Sequence, residues 1–140
     1  MNRELIYSSL LTLLTSASGI TTASRRLRHW SDVAPSDQPA LFMVQKSETA
    51  QVVTGQPTRW SLRVDVYVYV RGASDIAPAS ILNPILDAMT AALLPDIVGS
   101  GPETLGGLVS YARIEGMIET DEGALGDQSV AIIPIHLLTI

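Results

Sequence analysis

The chain has 140 residues, of which 46% are hydrophobic and only 16% are charged. This length fits one domain with a buried core, and the hydrophobic share excludes an intrinsically disordered chain. The absence of cysteine excludes disulfides, thiolate metal sites and cysteine nucleophiles. Because soluble domains typically contain roughly 25% charged residues, the low charged share suggests that part of the surface is reserved for contacts with other proteins.

The formal net charge of -5 is divided unevenly along the chain. Residues 1–71 carry eight basic and five acidic side chains, a balance of +3, whereas residues 72–140 carry one basic and nine acidic side chains, a balance of -8. The acidic total argues against a dedicated nucleic-acid-binding domain, which is usually basic. Two interpretations of the division stay open. Either the halves form ion pairs within the folded chain, or the basic face of one copy meets the acidic face of the next.

The first part of the chain predicts one helix followed by strands. Apolar residues at helical spacing predict a helix over residues 3–17, and the polar residues that interrupt the run argue against a signal peptide. A short strand is predicted within residues 24–30 and a loop over residues 31–39. A further strand over residues 40–46 leads into a polar connection over residues 47–58.

The clearest element runs from Trp60 to Arg71, where apolar and polar residues alternate strictly. Strict alternation over this length predicts a long strand with one buried face. Its second face carries tyrosines beside arginines, a combination that is enriched at protein interfaces, although cross-strand pairs on a solvent face explain it equally. The interface hypothesis takes in the residues of this second face: Arg63, Asp65, Tyr67, Tyr69 and Arg71.

A second helix is predicted to begin at Asn83-Pro84 and to end before Pro95. Asparagine is a good N-cap, and proline suits the first helical position because its missing N–H would have no partner there. The glycine- and proline-rich stretch over residues 95–107 predicts a loop.

The C-terminal part predicts strands over residues 108–119 and 129–140, joined by an acidic turn over residues 120–128 into a hairpin. The last strand is apolar on both faces, which requires cover on both sides. It also contains Pro134, which cannot donate to a ladder and therefore favours a place at a sheet edge or a bulge. An edge strand with two apolar faces needs a partner. The candidate interface residues of this strand are Ile133, Ile135 and Leu137.

The order of these elements indicates an α+β fold in a single domain over residues 1–140. We expect a mostly antiparallel or mixed sheet of about five strands packed against two helices. No stretch approaches the roughly 18 uninterrupted apolar residues of a transmembrane helix, so no contact with a membrane is predicted.

The sequence offers no motif for catalysis or for a cofactor. The G-x-S-x-G elbow of serine hydrolases is absent, and the stretch Gly101–Gly107 lacks the lysine of a phosphate-binding loop. Neither His29 nor His136 has a second histidine at metal-ligand spacing. We therefore predict that the protein is not an enzyme, binds no cofactor or metal, and uses both histidines structurally.

Two charged clusters supply the remaining candidate sites. Three arginines fall within four positions, at Arg25, Arg26 and Arg28. Phosphate contact is one interpretation of such a cluster, but a solvated face or an ion-pair face toward another subunit fits an acidic protein better. The acidic residues proposed to meet these arginines are Glu115, Glu119, Asp121 and Glu122.

Several motifs follow one another along the chain: Trp30-Ser31-Asp32-Val33, Gln38-Pro39-Ala40-Leu41-Phe42, the strand Trp60 to Tyr69, Leu82-Asn83 with Leu86-Asp87, Thr104-Leu105-Gly106-Gly107-Leu108-Val109 with Gly116, and an apolar last strand. Their order resembles that of the tail terminator, or tail completion, proteins of long-tailed bacteriophages, the λ-type minor tail protein family. The resemblance covers nearly the whole chain.

This resemblance implies a small α+β protomer that assembles into a hexameric ring, a component of the virion at the head-proximal end of the tail. The ring would end polymerisation of the tail tube protein and offer a docking surface to a head-completion or neck protein. DNA would pass through its channel without sequence-specific binding. The family has no catalytic residues that could be assigned to positions in this chain. Assembly would take place in the host cytoplasm.

Other functions stay open beside this one. The chain also fits another neck or head–tail connector protein, or a tail-tube-like protein. A small ligand-binding or enzymatic α+β domain would need a concave pocket with converging polar groups. A nucleic-acid-binding module that uses the arginine cluster would show a steep dependence of affinity on salt.

Overall fold

A computed structural model describes residues 1–17, 19–94, 101–124 and 126–140. Within these residues the helices and strands are, in chain order, α1 (Arg3–Ala17), β1 (Thr22–Ser24), β2 (Ala40–Gln51), β3 (Arg59–Arg71), α2 (Ala79–Ala92), β4 (Val109–Ile114), β5 (Glu119–Glu122) and β6 (Gln128–Thr139). Two single-turn 3-10 helices, Trp30–Asp32 and Pro35–Asp37, lie between β1 and β2. The predicted α+β class is confirmed, with a sheet of six strands.

The six strands form one open, mixed sheet in the order β1-β2-β3-β6-β4, and β5 also pairs with β6. β1 is parallel to β2, and the other pairs are antiparallel. β4 pairs with the C-terminal half of β6 and β5 pairs with its N-terminal half. The sheet therefore has β1 at one edge, and β4 and β5 share the opposite edge.

The alternation in β3 determines which face of the sheet is buried. Its apolar residues lie in the main core, which α1 and α2 cover, and the face opposite the helices is named the outer face. Within that core, the strand and helix side chains that are almost fully buried include Leu62, Val64, Val66, Val68, Ile6, Leu10, Leu14, Leu82 and Met89.

The last strand does not lie at the edge of the sheet, so that part of the sequence prediction is wrong. β6 is flanked by β3 on one side and by β4 and β5 on the other. Ile133, Ile135 and Leu137 are each 0% exposed in the main core. Because their covering partners belong to the same chain, these three residues are not available at the surface of the protomer.

Pro134 is accommodated at the break between β4 and β5, where one strand was predicted over residues 108–119. The Glu115 N–H donates to the Pro134 carbonyl at 3.2 Å, so the side of Pro134 that lacks an N–H faces the break rather than a continuous ladder. Gly116 lies in this break with a φ of 119°, and a Cβ there would come within 3.2 Å of Pro134 Cγ. Glycine therefore permits the close approach of the two chain segments.

The second helix begins earlier than predicted, and Pro84 lies inside it. Its N-terminal residue is Ala79, whose N–H donates to the Glu122 carboxylate of β5 at 3.3 Å. A carboxylate at a helix N-terminus is favourable because it meets unpaired N–H groups. Since Glu122 is distant in sequence, local capping rules did not reveal this start. The helix ends at Ala92, before Pro95 as predicted. The first residues of the predicted loop lie outside the described residues.

Candidate subunit-interface surfaces

A small apolar cluster covers the outer face at the β1 end of the sheet. Ala40, Phe42 and Tyr69 pack there with Val33, which the 3-10 turns bring back over the strands. Tyr69 is 4% exposed, and its hydroxyl donates to the Arg28 carbonyl at 2.8 Å. Burial raises the pKa of Tyr69. Tyr69 was predicted as an interface residue, but it packs inside the protomer, where it holds the arginine segment against the sheet.

The three clustered arginines have different roles. Arg25 forms an ion pair with Glu4 of α1, donates to Gln45 at 3.1 Å and lies 5.7 Å from the Tyr7 ring centre, so it is occupied within the protomer. Arg26 and Arg28 are exposed and form no ion pair among the described residues. The Arg28 guanidinium lies 5.5 Å above the Phe42 ring, on the outer face. The predicted strand within residues 24–30 is replaced by an irregular segment after Ser24.

Three charged residues in the interior and at the end of β3 form ion pairs within the chain. Arg71 forms an ion pair with Asp127 at 2.9 Å, and Arg63 lies 3.9 Å from Glu115. Asp65 lies 3.7 Å from Lys46 of the neighbouring strand. Two of these pairs join the basic and acidic halves of the chain, so intramolecular pairing accounts for part of the uneven charge.

His136 lies at the centre of a polar cluster on the outer face. It is 7% exposed; its Nε2 lies 2.5 Å from Ser61 Oγ, and its Nδ1 lies 2.6 Å from Glu115 Oε2. Its ring also packs edge-on against Tyr111 at 5.4 Å. The hydrogen bond from His136 lowers the pKa of Glu115, and Arg113 acts in the same direction. Both ring nitrogens are satisfied, as a buried imidazole requires.

Serine, histidine and glutamate in this order resemble the relay of a serine hydrolase. Ser61, however, lies on β3, which is paired on both sides, so the ladder uses the backbone N–H groups that an oxyanion hole would need. The nearby guanidinium groups of Arg63 and Arg113 both contact Glu115. We therefore interpret the cluster as a structural network.

Asp121 and Glu122 were predicted in a turn, but they lie with Glu119 in an edge strand, β5. All four residues of β5 are exposed. Glu122 contacts the start of α2, whereas Glu119 and Asp121 form no ion pair among the described residues. An open groove of about 660 Å³ runs beside them on the outer face. Its apolar lining residues are Trp30, Met117, Ile118, Val130 and Ile132.

Sequence reasoning missed the groove beside β5 because it needs residues from three parts of the chain. Trp30 comes from the first 3-10 turn, Met117 from the break between β4 and β5, and Ile132 from β6. Met117 is 75% exposed. Tyr67, another predicted interface residue, is partly buried on the same face beside the small apolar cluster. The one signal in the sequence was that Met117, an apolar residue, falls on the otherwise polar face of the strand predicted over residues 108–119.

The described residues contain no group of three or more histidine, aspartate or glutamate side chains able to hold a metal ion. In the same part of the chain, neither helix combines the length and the apolar character needed to cross a bilayer.

The N-terminal helix is fastened to β2 by a second buried tyrosine. Burial raises the pKa of Tyr7 to about 12, and its hydroxyl donates to Glu48 at 2.9 Å. Arg3 donates to the other oxygen of Glu48 at 2.7 Å. Burial alone would raise the pKa of Glu48, but the hydrogen bonds from Arg3 and Tyr7 outweigh it and lower that pKa.

Glu48 should therefore stabilise the fold in a pH-dependent way. Because its pKa is lower in the folded than in the unfolded chain, its contribution is present above the unfolded value and is lost as the pH falls through the folded value. We expect Glu48→Gln to be less stable than the wild type at about pH 6 and to approach it near about pH 3. Thermal unfolding at several pH values measures this difference. A difference that stays constant, or that also appears for Asp75→Asn, would contradict the assignment.

Comparison with known proteins shows the fold alone. No protein-family profile matches the sequence, and no curated protein matches it. Among the 26 chains of solved structures that match, one without a functional description aligns with a TM-score of 0.55 at 17% identity. The alignment covers 100% of this chain and 97% of the other. The two proteins therefore have similar folds over their whole lengths.

Proposed function

We propose that this protein is a tail terminator of a long-tailed bacteriophage, a ring-forming virion component at the head-proximal end of the tail. In this role it ends polymerisation of the tail tube protein and offers its other side to a head-completion or neck protein. DNA passes through the ring without sequence-specific recognition. The protein is not an enzyme and needs no cofactor.

One structural observation supports self-assembly more than any other. Among the described residues, Arg26 and Arg28 remain without an ion pair in the segment that follows β1, and Glu119 and Asp121 remain without one in β5 at the opposite edge of the sheet. Two different, complementary surfaces on one protomer are what a head-to-tail interface requires, and such an interface closes into a ring when the rotation permits. The order of the sequence motifs, which resembles that of tail terminator proteins, supports the position of this ring at the head-proximal end of the tail.

The test combines the purified protein with its cognate tail tube protein during tube polymerisation. We expect tubes that stop growing and carry a ring-shaped cap at one end, as seen by negative-stain electron microscopy. Tube protein alone is the control and should give longer tubes without caps. Incorporation of the chain along the tube would favour a tail-tube-like protein, and an unchanged tube length would contradict the proposal.

A further inference from the structure

The two exposed edges of the sheet lie opposite each other at the same level. Following the strand pairs across the sheet leads from each residue of β1 to a residue of β5. The three rows are Thr22–Ala40–Tyr69–Val130–Asp121, Ala23–Leu41–Val68–Ala131–Thr120 and Ser24–Phe42–Tyr67–Ile132–Glu119. Among the described residues, the sheet at this level is five strands wide and ends on each side in a strand with no further neighbour.

The strand directions allow these edges to pair between copies. β1 runs parallel to β2, and each later step from β2 to β3, β6 and β5 reverses the direction. β5 is therefore antiparallel to β1. When copies follow one another around a ring, β5 of one copy and β1 of the next meet in the antiparallel orientation, whose ladder is slightly more stable per residue than the parallel one.

The charges beside the two edges favour pairing of β5 with β1 over pairing of β5 with β5 or of β1 with β1. Arg26 and Arg28, in the segment that leads from β1 onto the outer face, are named the basic edge. Glu119 and Asp121 of β5 are named the acidic edge. Two β5 strands would bring carboxylates together and two β1 strands would bring arginines together, and like charges across an interface are unfavourable. Charged side chains beside a free edge also discourage it from pairing with strands that do not carry the opposite charge.

Apolar groups accompany the charges on both sides. Leu27, which is 42% exposed, stands between the two arginines of the basic edge. The groove of about 660 Å³ lies beside the acidic edge and is lined in part by Met117 and Ile118. A neighbouring copy that presents the basic edge here also brings an exposed leucine to an apolar surface, which favours association by removing both from water.

We infer that a second copy of this chain binds along β5 through its own β1, so that the sheets of neighbouring copies continue into one another. This inference rests on the proposed ring and names the strands that join it. The partner is the same chain, held by backbone hydrogen bonds between β5 and β1 and aligned by the basic and acidic edges.

Charge reversal tests the pairing of the edges. Glu119→Lys with Asp121→Lys makes both edges basic, and Arg26→Glu with Arg28→Glu makes both acidic. We expect each variant alone to need at least about tenfold higher concentration for half-assembly, and an equimolar mixture to assemble like the wild type, with the two variants alternating. Asp87→Lys with Thr90→Lys also adds positive charge, at exposed positions of α2 outside both named edges, and should assemble normally. Failure of the mixture to assemble would overturn the inference.

Engineered cysteines test the contact directly, because the chain has none of its own. Ala23 and Thr120 lie in the row that shares the helix-covered face, as Leu41, Val68 and Ala131 show. We expect Ala23→Cys with Thr120→Cys, or with Glu122→Cys two positions along, to give disulfide-linked oligomers on non-reducing gels. Asp121→Cys in place of Thr120→Cys puts the thiol on the outer face and should not cross-link.

The outcomes separate this inference from the proposed function. A protein that caps tubes but cross-links through neither cysteine pair would keep the function and overturn the β5–β1 contact. A protein that cross-links and forms rings but leaves tube growth unchanged would keep the contact and overturn the function. A wild-type chain that stays monomeric up to about 1 mM and that cross-links through neither pair overturns the contact.

Discussion

Ile135→Asp is expected to unfold the protomer. Ile135 is 0% exposed in β6 and pairs with Val64 and Ile114. A carboxylate at this site would be buried without a partner, which costs more than about 4 kcal/mol. Since a domain is stabilised by only about 5–15 kcal/mol, we expect loss of the cooperative thermal transition seen by circular dichroism.

Two companion variants show whether the effect comes from the core. Ile135→Val removes one methylene group and should cost about 0.5–1.5 kcal/mol with the fold retained. Ile132→Asp places the same charge on the same strand but on the partly exposed outer face, and we expect a clearly smaller loss. If Ile135→Asp gave a folded monomer with the wild-type transition, the residue would belong to a subunit interface after all.

Tyr69→Ala is expected to be the second most damaging substitution. Tyr69 packs against the Phe42 ring, with centres 5.5 Å apart, and donates a hydrogen bond to the Arg28 carbonyl. Removing a buried aromatic ring costs about 3–5 kcal/mol. The loss also releases the segment that carries Arg26 and Arg28, so we expect faster amide exchange there as well as a lower melting temperature.

The hydroxyl of Tyr69 can be tested separately from its ring. Tyr69→Phe should cost only about 0.5–1.5 kcal/mol but should still increase amide exchange in residues 25–28. Tyr67→Phe is the matched control, since the Tyr67 hydroxyl makes no hydrogen bond among the described residues, and its stability should stay within about 0.5 kcal/mol of the wild type. Equal exchange in both phenylalanine variants would contradict the role of the Tyr69 hydroxyl.

Local patterns were sufficient to predict the elements whose burial repeats along the sequence. The helix predicted over residues 3–17 is observed as Arg3–Ala17, and the alternating strand is observed as Arg59–Arg71. In the helix, core-facing side chains recur once per turn, and in the strand every second side chain faces the core. Both periods are therefore visible in the sequence. The pairing of the last two predicted strands is observed between β4 and β6, whereas β5, which also pairs with β6, lies mostly in the stretch that was predicted as a turn.

Features that depend on distant residues could not be predicted in this way. The apolar character of β6 indicated cover on both faces but not which segment supplies it, and an interior strand and a partnered edge strand have the same pattern. The start of α2 depends on Glu122, which lies 43 residues away from Ala79. The arginines looked alike in sequence, yet the fold pairs Arg25 with Glu4 and leaves Arg26 unpaired among the described residues.

The short length of β1 has a consequence for the polarity of an assembled ring. β1 covers only Ala40–Phe42 of β2, whereas β4 pairs with β6 at the opposite end of the strands. If β5 joins β1 of the next copy, one rim of the ring is closed by continuous backbone bonding. The other rim keeps the free edges of β2 and β4, which can accept a strand from a different protein. A ring built this way has two unlike rims, and its orientation on a tail is decided within each protomer before any partner binds.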